Sequence, residues 1–341
     1  MKRIITFLSL ALCLSLLAGC TGTTVVYTDC TCDGSHIVDT TVPVAEGAVK
    51  TGLAVLASAK IENASAEAEG KASYDVSMVA VLVDDDGVIV DCFIDSLGAD
   101  VTFDAAGTIL SGAGTEVLSK YELGDDYNMM LYTGGKAVGE WYQQADALAD
   151  YAVGKTVEEL KNGAVGETGY AQDADLATSA TIYLGGYVAA VEAAVANAKH
   201  LGAQAGDELK LASINKVDEA GGLTSDVVAM TMNGDTITSC VIDSLQAVIT
   251  VNADGTATPG NMLTKNQLGF DYGMVAYTGG AAIGEWFEQA ERFCAYVTGK
   301  TPAEVAGIAI DENTVPTEVD LVTSVTIKIG GFQALIAKAA K

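Results

Sequence analysis

Apolar runs over residues 77–83 and 88–94 flank the acidic step Asp84-Asp85-Asp86-Gly87, and runs over 227–232 and 236–242 flank Asn233-Gly234. Asp-Gly and Asn-Gly tolerate the positive φ that a tight hairpin imposes, so each pair of runs predicts strand, turn, strand. Three consecutive aspartates do not read as a calcium loop, which needs alternating ligands and a distal glutamate. Further short strands are predicted over 100–103 and 248–251. The period then changes. Trp141, Ala145, Leu148, Ala149 and Ala152 recur at helical spacing, as do Trp286, Ala290, Phe293, Cys294 and Val297. Ala-rich helices are predicted over 187–199 and 332–340, entered through Gly185-Gly186 and Gly330-Gly331. Antiparallel hairpins followed by packed helices and a C-terminal helix make each stretch α+β.

The pattern recurs because residues recur. Cys92-Phe93-Ile94-Asp95-Ser96-Leu97 returns as Cys240-Val241-Ile242-Asp243-Ser244-Leu245, and Leu123-Gly124-Asp125-Asp126-Tyr127 as Leu268-Gly269-Phe270-Asp271-Tyr272. Tyr132-Thr133-Gly134-Gly135 matches Tyr277-Thr278-Gly279-Gly280, and Gly139-Glu140-Trp141 matches Gly284-Glu285-Trp286. A period of about 145 residues reads as tandem duplication of one domain rather than as a solenoid. The copies are placed at residues 47–201 and 202–341, each long enough to bury a core. Gly154-Lys155-Thr156 and Gly299-Lys300-Thr301 end in the letters of a phosphate loop, but each follows a helix rather than a strand, so the glycine reads as a helix C-cap.

The start of the chain adds an address. Lys2 and Arg3 precede a largely apolar stretch that closes on Leu17-Ala18-Gly19-Cys20. The run is short of the ~20 residues a bilayer span needs, and small residues before a cysteine read as a lipoprotein signal peptide over 1–19. Lipidation at Cys20 then implies a chain anchored to the extracytoplasmic face of a cell membrane, with residues 20–46 as a Thr-rich tether.

Charge removes one class of partner. Eighteen basic against forty-five acidic residues give a net charge of −27, which repels phosphate backbones and excludes nucleic acid. With two histidines in the chain, His36 and His200, a Ser-His-Asp triad and a His-rich metal site are disfavoured, and no metal ligands or catalytic residues are assigned. Cys30 and Cys32 could form a redox pair or, with His36, soft-metal ligands, but a lone pair without metal-site spacing reads rather as tether thiols that pair or are modified outside the cell. Cys92, Cys240 and Cys294 fall among core positions and read as buried free thiols; a disulfide joining Cys92 to Cys240 requires both to sit near a pseudo-twofold axis. Half the residues are hydrophobic, many of them Ala and Val, so the interior is expected to use small side chains.

Candidate chemistry gathers just before the closing helices. Asp-x-x-Thr-Ser-x-Thr occurs at residues 175–181 and again at 320–326. Hydroxyls opening into a helix bring side-chain oxygens next to unpaired backbone N–H groups, a setting for phosphate; capping of the backbone is the plainer role for the same residues. The stretch resembles the flavinylation motif of the FMN-binding domain family, Asp-x-x-(Ser/Thr)-Gly-Ala-(Thr/Ser) before a helix, carried by flavinylated surface lipoproteins of Gram-positive, clostridial type. Asp175, Thr178, Ala180 and Thr181 match in the first copy, and Asp320, Thr323 and Thr326 in the second. Ser179 and Ser324 stand where the family has Gly, and Val325 where it has Ala.

The resemblance implies FMN joined by a phosphoester to Thr181, and to Thr326 in the second copy, installed by a flavin transferase. It implies extracellular electron transfer with a membrane redox partner, the flavin doing the redox work. The chain is then a carrier or binding protein rather than a catalyst with its own turnover. Val325 is expected to crowd the approach of a phosphate, leaving Thr326 less occupied than Thr181. Trp141, Tyr142, Tyr132, Trp286 and Tyr277 read as stacking partners for a planar ligand or as core. The alternative function is a surface lipoprotein that binds a small ligand or partner noncovalently in the cleft between the copies.

Overall fold

A computed structural model describes residues 47–341. The signal peptide and the tether lie outside the described residues, and with them Cys20, Cys30, Cys32 and His36. Mixed α and β structure with antiparallel sheets is observed, with twelve α-helices among the described residues.

In the first half the strands are β1 (Lys50–Glu62), β2 (Gly70–Val83), β3 (Ile89–Phe103), β4 (Ile109–Ser111) and β5 (Glu116–Val117). The helices are α1 (Lys120–Leu123), α2 (Met129–Tyr132), α3 (Trp141–Ala152), α4 (Val157–Ala164), α5 (Leu176–Ser179) and α6 (Gly185–Ala196). The second half runs in the same order: β6 (Glu208–Val217), β7 (Leu223–Asn233), β8 (Thr236–Ala247), β9 (Ile249–Val251), β10 (Ala257–Pro259), then α7 (Lys265–Leu268), α8 (Met274–Tyr277), α9 (Trp286–Val297), α10 (Pro302–Ala306), α11 (Val319–Val322) and α12 (Gly330–Ala339). The strand expected over 100–103 is the end of the long β3, because the ladder with β2 continues unbroken from Leu97↔Val76 to Phe103↔Gly70. Its counterpart is a separate β9, since β8 stops at Ala247.

Two four-stranded sheets have the orders β1-β2-β3-β4 and β5-β6-β7-β8, and β9 pairs with β10 in a separate two-stranded sheet. Period-two alternation along β2 explains the layering. Ala72, Tyr74, Val76, Met78, Ala80 and Leu82 point into a core shared with the other sheet, whereas Val79, Val81 and Val83 point at the helices. The shared core joins Leu53, Val55 and Leu97 of the first half to Leu209, Val227 and Leu245 of the second. Each sheet also buries its outer face against its own helices, around Trp141 and Leu148 in one half and Trp286 and Phe293 in the other. The layers therefore run helix, sheet, sheet, helix.

Each half thus has a helix–sheet core but relies on its neighbour for the second face of its sheet. Strand β5 crosses over as well, pairing Glu116 with Lys216 and Val117 with Asn215 at the edge of the second sheet. A buried Thr51 Oγ1 to Ser239 Oγ hydrogen bond of 2.7 Å ties β1 to β8. The boundary at 201/202 is therefore a boundary in chain order, and the described residues belong to one compact unit.

Small side chains let the layers approach, as the Ala- and Val-rich composition leads one to expect. At Gly52 on β1, an added Cβ would lie 2.1 Å from the carbonyl oxygen of Ala194 on α6. Backbone cannot rotate away as a side chain can. Gly52→Ala is expected to cost about 2 kcal/mol, read as a lower urea midpoint with full-length chain; an unchanged midpoint would show that α6 shifts freely.

The thiols are core residues. Cys92, Cys240 and Cys294 are free and buried, with Cys92 in the first helix–sheet core and the other two in the second. Cys92 and Cys240 lie in separate cores, so the disulfide between them is not formed. Burial pushes the Cys92 thiol well above its ordinary range, and the Cys294 thiol followed by burial does so for Cys240.

Candidate functional site

The site is organised by the start of α3. Glu140 is its N-cap in a capping box with Gln143, and the Glu140 carboxylate also accepts from the Met129 and Met130 N–H groups at 2.7 and 3.2 Å. This pins α2 and the loop after it over the helix entrance. Behind them, Trp141 is buried, donates through Nε1 to the Tyr187 hydroxyl at 3.2 Å, and meets that ring edge-on. The Lys120 ammonium lies 5.3 Å from the Trp141 ring centre and 5.7 Å from that of Tyr127. Burial alone pulls the Lys120 ammonium down, but Tyr187, Tyr127 and Asp75 together outweigh it and hold its pKa above the ordinary value.

Between these elements is a cavity of about 680 Å³, lined by Tyr127, Trp141, Tyr170, Tyr183 and Tyr187, by Lys120 and Lys136, and by Ser77, Asp75 and Thr181. Its volume falls within the range of small-molecule pockets, ~300–1,000 Å³. Its chemistry is aromatic walls, two ammonium groups, the Asp75 carboxylate and hydroxyls.

The motif residues separate here. Thr181 lies on the cavity wall. Asp175, Thr178 and Ser179 are exposed on or beside the short α5, outside that wall, and Ala180 is buried in the helix–sheet core. Thr178 Oγ1 donates to the Asp175 carbonyl at 2.7 Å, so its hydroxyl serves the backbone. The carboxylate that caps α5 belongs to Asp173, which accepts from the Asp175 and Leu176 N–H groups at 3.0 Å each. Among the described non-glycine residues only Asn128 and Thr314 have positive φ. Ser179 and Ser324 therefore hold backbone conformations open to any residue, and neither position calls for the positive φ that favours glycine.

In the second half, Asp320 lies in α11 and is exposed, Thr323 follows it, and Ser324 Oγ donates to the Leu321 carbonyl at 3.2 Å. Thr326 is exposed, and Val325 is buried in the second helix–sheet core. Its methyl groups face inward, so the crowding expected of Val325 at a phosphate does not arise. The lining differs instead. Where the first half has Lys136, Tyr170, Tyr183 and Tyr187, corresponding positions hold Ala281, Val315, Lys328 and Phe332. Lys265 still sits 4.8 Å from the Trp286 ring centre, but burial lowers its pKa against Asp226 and Asp243.

One residue that touches Thr181 escapes a reading of the sequence although it repeats. Gln144, fully buried on α3, accepts at Oε1 from Thr181 N–H at 2.7 Å, Thr181 O–H at 3.1 Å and Ile182 N–H at 3.2 Å. Gln289 does the same for Thr326, at 2.8 Å from N–H and 3.1 Å from O–H. The signal is a Trp-x-x-Gln-Ala step present in both halves of the chain, a polar residue on the apolar face of each helix. The exposed Tyr132 and Tyr277, 84% and 93% accessible, lie away from any ring partner, so they do not serve the cavity.

Asp95 and Asp243 are structural. Each is buried, accepts from its following serine N–H at 2.7 Å, and accepts at 3.1 Å from the N–H of Tyr121 or Asn266 at the next helix. Burial raises both carboxyls to about 6.

A second cavity of about 580 Å³ lies between the halves, lined by Thr51, Leu53 and Val55 of β1, Lys199, and Cys240, Phe287, Glu291 and Cys294. The Lys199–Glu291 ion pair at 2.6 Å joins the halves there. Among the described residues, no helix is long and apolar enough to cross a membrane, and no cluster of three or more His, Cys, Asp or Glu side chains is arranged for a metal ion. No family model, no curated protein and no solved structure matches the chain.

Proposed function

We propose that the chain is a lipid-anchored extracytoplasmic flavin carrier, built from a duplicated α+β domain, with FMN esterified to Thr181. The observation that carries this reading is the position of Thr181, the exposed last residue of its motif, on the wall of the aromatic cavity of about 680 Å³. Tyr127, Tyr170 and Tyr183 suit a planar ring, Trp141 being buried behind them, and the Lys120 and Lys136 ammonium groups suit an anionic ligand. When bound, the flavin supplies one- and two-electron redox chemistry. The chain's own part would be to hold the Thr181 oxygen, to form one wall of the cavity with the segment pinned by Glu140, and to set the local field through Lys120. Anchoring at Cys20 would keep the carrier beside a membrane redox partner.

The test is co-expression of the full chain with a flavin transferase. In-gel fluorescence surviving denaturing electrophoresis, with a mass gain of one FMN ester, is expected. A colourless product with the bare-chain mass would remove the covalent reading.

A second reading, noncovalent binding of a small ligand between the halves, is favoured by the cavity of about 580 Å³ at that junction. A thermal-shift screen with FMN, riboflavin, haem and divalent metals separates the two. Stabilisation that persists in Thr181→Val but is lost when Leu53 is enlarged to Trp would favour it.

A further inference from the structure

We infer that Gln144 is the positioning residue for group transfer to Thr181, an inference that rests on the reading that Thr181 carries the flavin phosphate. The amide has one permitted orientation. Gln144 Nε2 donates to the Gly139 carbonyl at 2.7 Å, and a carbonyl has no proton to give Oε1, so Oε1 must point toward Thr181. The side chain is fully buried on a helix whose entry is fixed by the Glu140–Gln143 capping box. It cannot follow Thr181; Thr181 must follow it.

Three donors then converge on one oxygen: Thr181 N–H, Thr181 O–H and Ile182 N–H. The two amides lock the backbone at the attachment residue. The hydroxyl bond fixes the remaining rotor, with the proton turned toward Gln144 and the oxygen lone pairs turned away from it. A nucleophile held in one orientation reacts faster than one that samples several.

In the transfer, Thr181 Oγ forms a bond to the flavin-side phosphorus of a flavin dinucleotide, and the anhydride P–O bond breaks. Nucleoside monophosphate leaves with the bonding electrons, and the hydroxyl proton, leaving its hydrogen bond to Gln144 Oε1 as the O–P bond forms, passes to a base of the transferase or to water. Gln144 takes no proton. It loses one donor and keeps the two backbone N–H groups, so the product backbone remains held as the substrate backbone was.

The second half supplies a matched control. Gln289 makes the same bonds to Thr326, and its Nε2 donates to the Gly284 carbonyl at 2.8 Å. Gln289→Leu therefore carries a comparable folding cost with no contact to Thr181. The experiment follows flavin loading of the full chain by a flavin transferase, with the rate of FMN ester formation on the Thr181 peptide read by mass spectrometry. For Gln144→Leu that rate should fall about tenfold or more, the size of one oriented hydrogen bond, while Gln289→Leu loads Thr181 at the wild-type rate and melts at a similar temperature. Gln144→Glu offers a rescue. Protonated, it can donate to Gly139 and accept from Thr181, so its rate relative to wild type should rise as pH falls.

Wild-type loading with an unaffected Gln144→Leu would overturn the positioning role and leave the flavin reading standing. Equal slowing at Thr181 by Gln289→Leu would show a merely structural effect and also overturn it. If Gln144→Leu does not fold, the pH profile of Gln144→Glu decides, and a ratio independent of pH counts against the role. A wild-type chain that never loads takes the flavin reading and this inference down together.

Discussion

Thr181→Val should remove most covalently bound flavin, whereas Thr326→Val should leave most of it in place. Both threonines are exposed, and each is held by an equivalent glutamine, so neither reach nor backbone geometry separates them. The surroundings do. Thr181 adjoins a cavity walled by Tyr170, Tyr183 and Tyr187 with Lys136, and the second half replaces these with Val315, Lys328, Phe332 and Ala281. A planar ring meets less aromatic surface there, and Lys328 introduces a charge where a tyrosine ring stood. Folding should be little affected, because losing one partly exposed hydroxyl bond costs about 1 kcal/mol. Intact-mass analysis of the two single variants checks it. Equal loading at both sites, or loss only with Thr326→Val, would refute the assignment of unequal halves.

A second large effect is expected from pH. Asp95 and Asp243 titrate at about 6 in the folded chain because burial disfavours the carboxylate, with the neighbouring Ser119 or Thr264 side chains and backbone N–H groups only partly opposing it. Their folded values exceed the unfolded value, so the folded state takes up protons that the unfolded state does not. The resulting stabilisation is complete below about pH 4 and is lost as pH rises through about 6. Raising a carboxyl from its ordinary 3.8 to about 6 corresponds to at most ~3 kcal/mol for each group. Stability should therefore increase as pH falls from 7.5 to about 5. Below about 4, exposed carboxylates held low by partners, such as Asp85 beside Lys50 and His200 and Glu159 at a capping box, turn the trend. Urea unfolding across this range tests it, with Asp95→Asn and Asp243→Asn each expected to flatten the slope. A wild-type chain that weakens steadily from pH 7.5 to 5 would contradict the argument.

Local features were legible in the chain itself. The hairpin at Asp84-Asp85-Asp86-Gly87 has Gly87 at φ +81°, and Asn233-Gly234 has Gly234 at φ +58°, because glycine takes that conformation without strain. Trp141 and Trp286 begin helices of twelve residues each, with the spaced apolar residues buried. Gly154 and Gly299 follow those helices at positive φ, and Thr156 and Thr301 cap the next ones, so the letters of a phosphate loop are helix punctuation. Each of these is decided within a few residues, where side-chain shape and backbone preference act alone.

Where each face goes is a different matter. Strands β1 and β6 carry no turn signal of their own, and the shared core exists only because each sheet has two apolar faces and one set of helices. Val325 and Ala180 read along the chain as neighbours of a phosphate site, yet both side chains are buried in the helix–sheet cores. Gln144 lies 37 residues from Thr181, and no local rule links an amide on one helix to a hydroxyl before another. Residue order alone was enough for the hairpins, the long helices, their recurrence and the candidate hydroxyl. Packing in three dimensions chose which side of each strand is covered, which residues wall the cavity, and which buried amide holds the threonine, because those contacts depend on distances in space that separation along the chain does not encode.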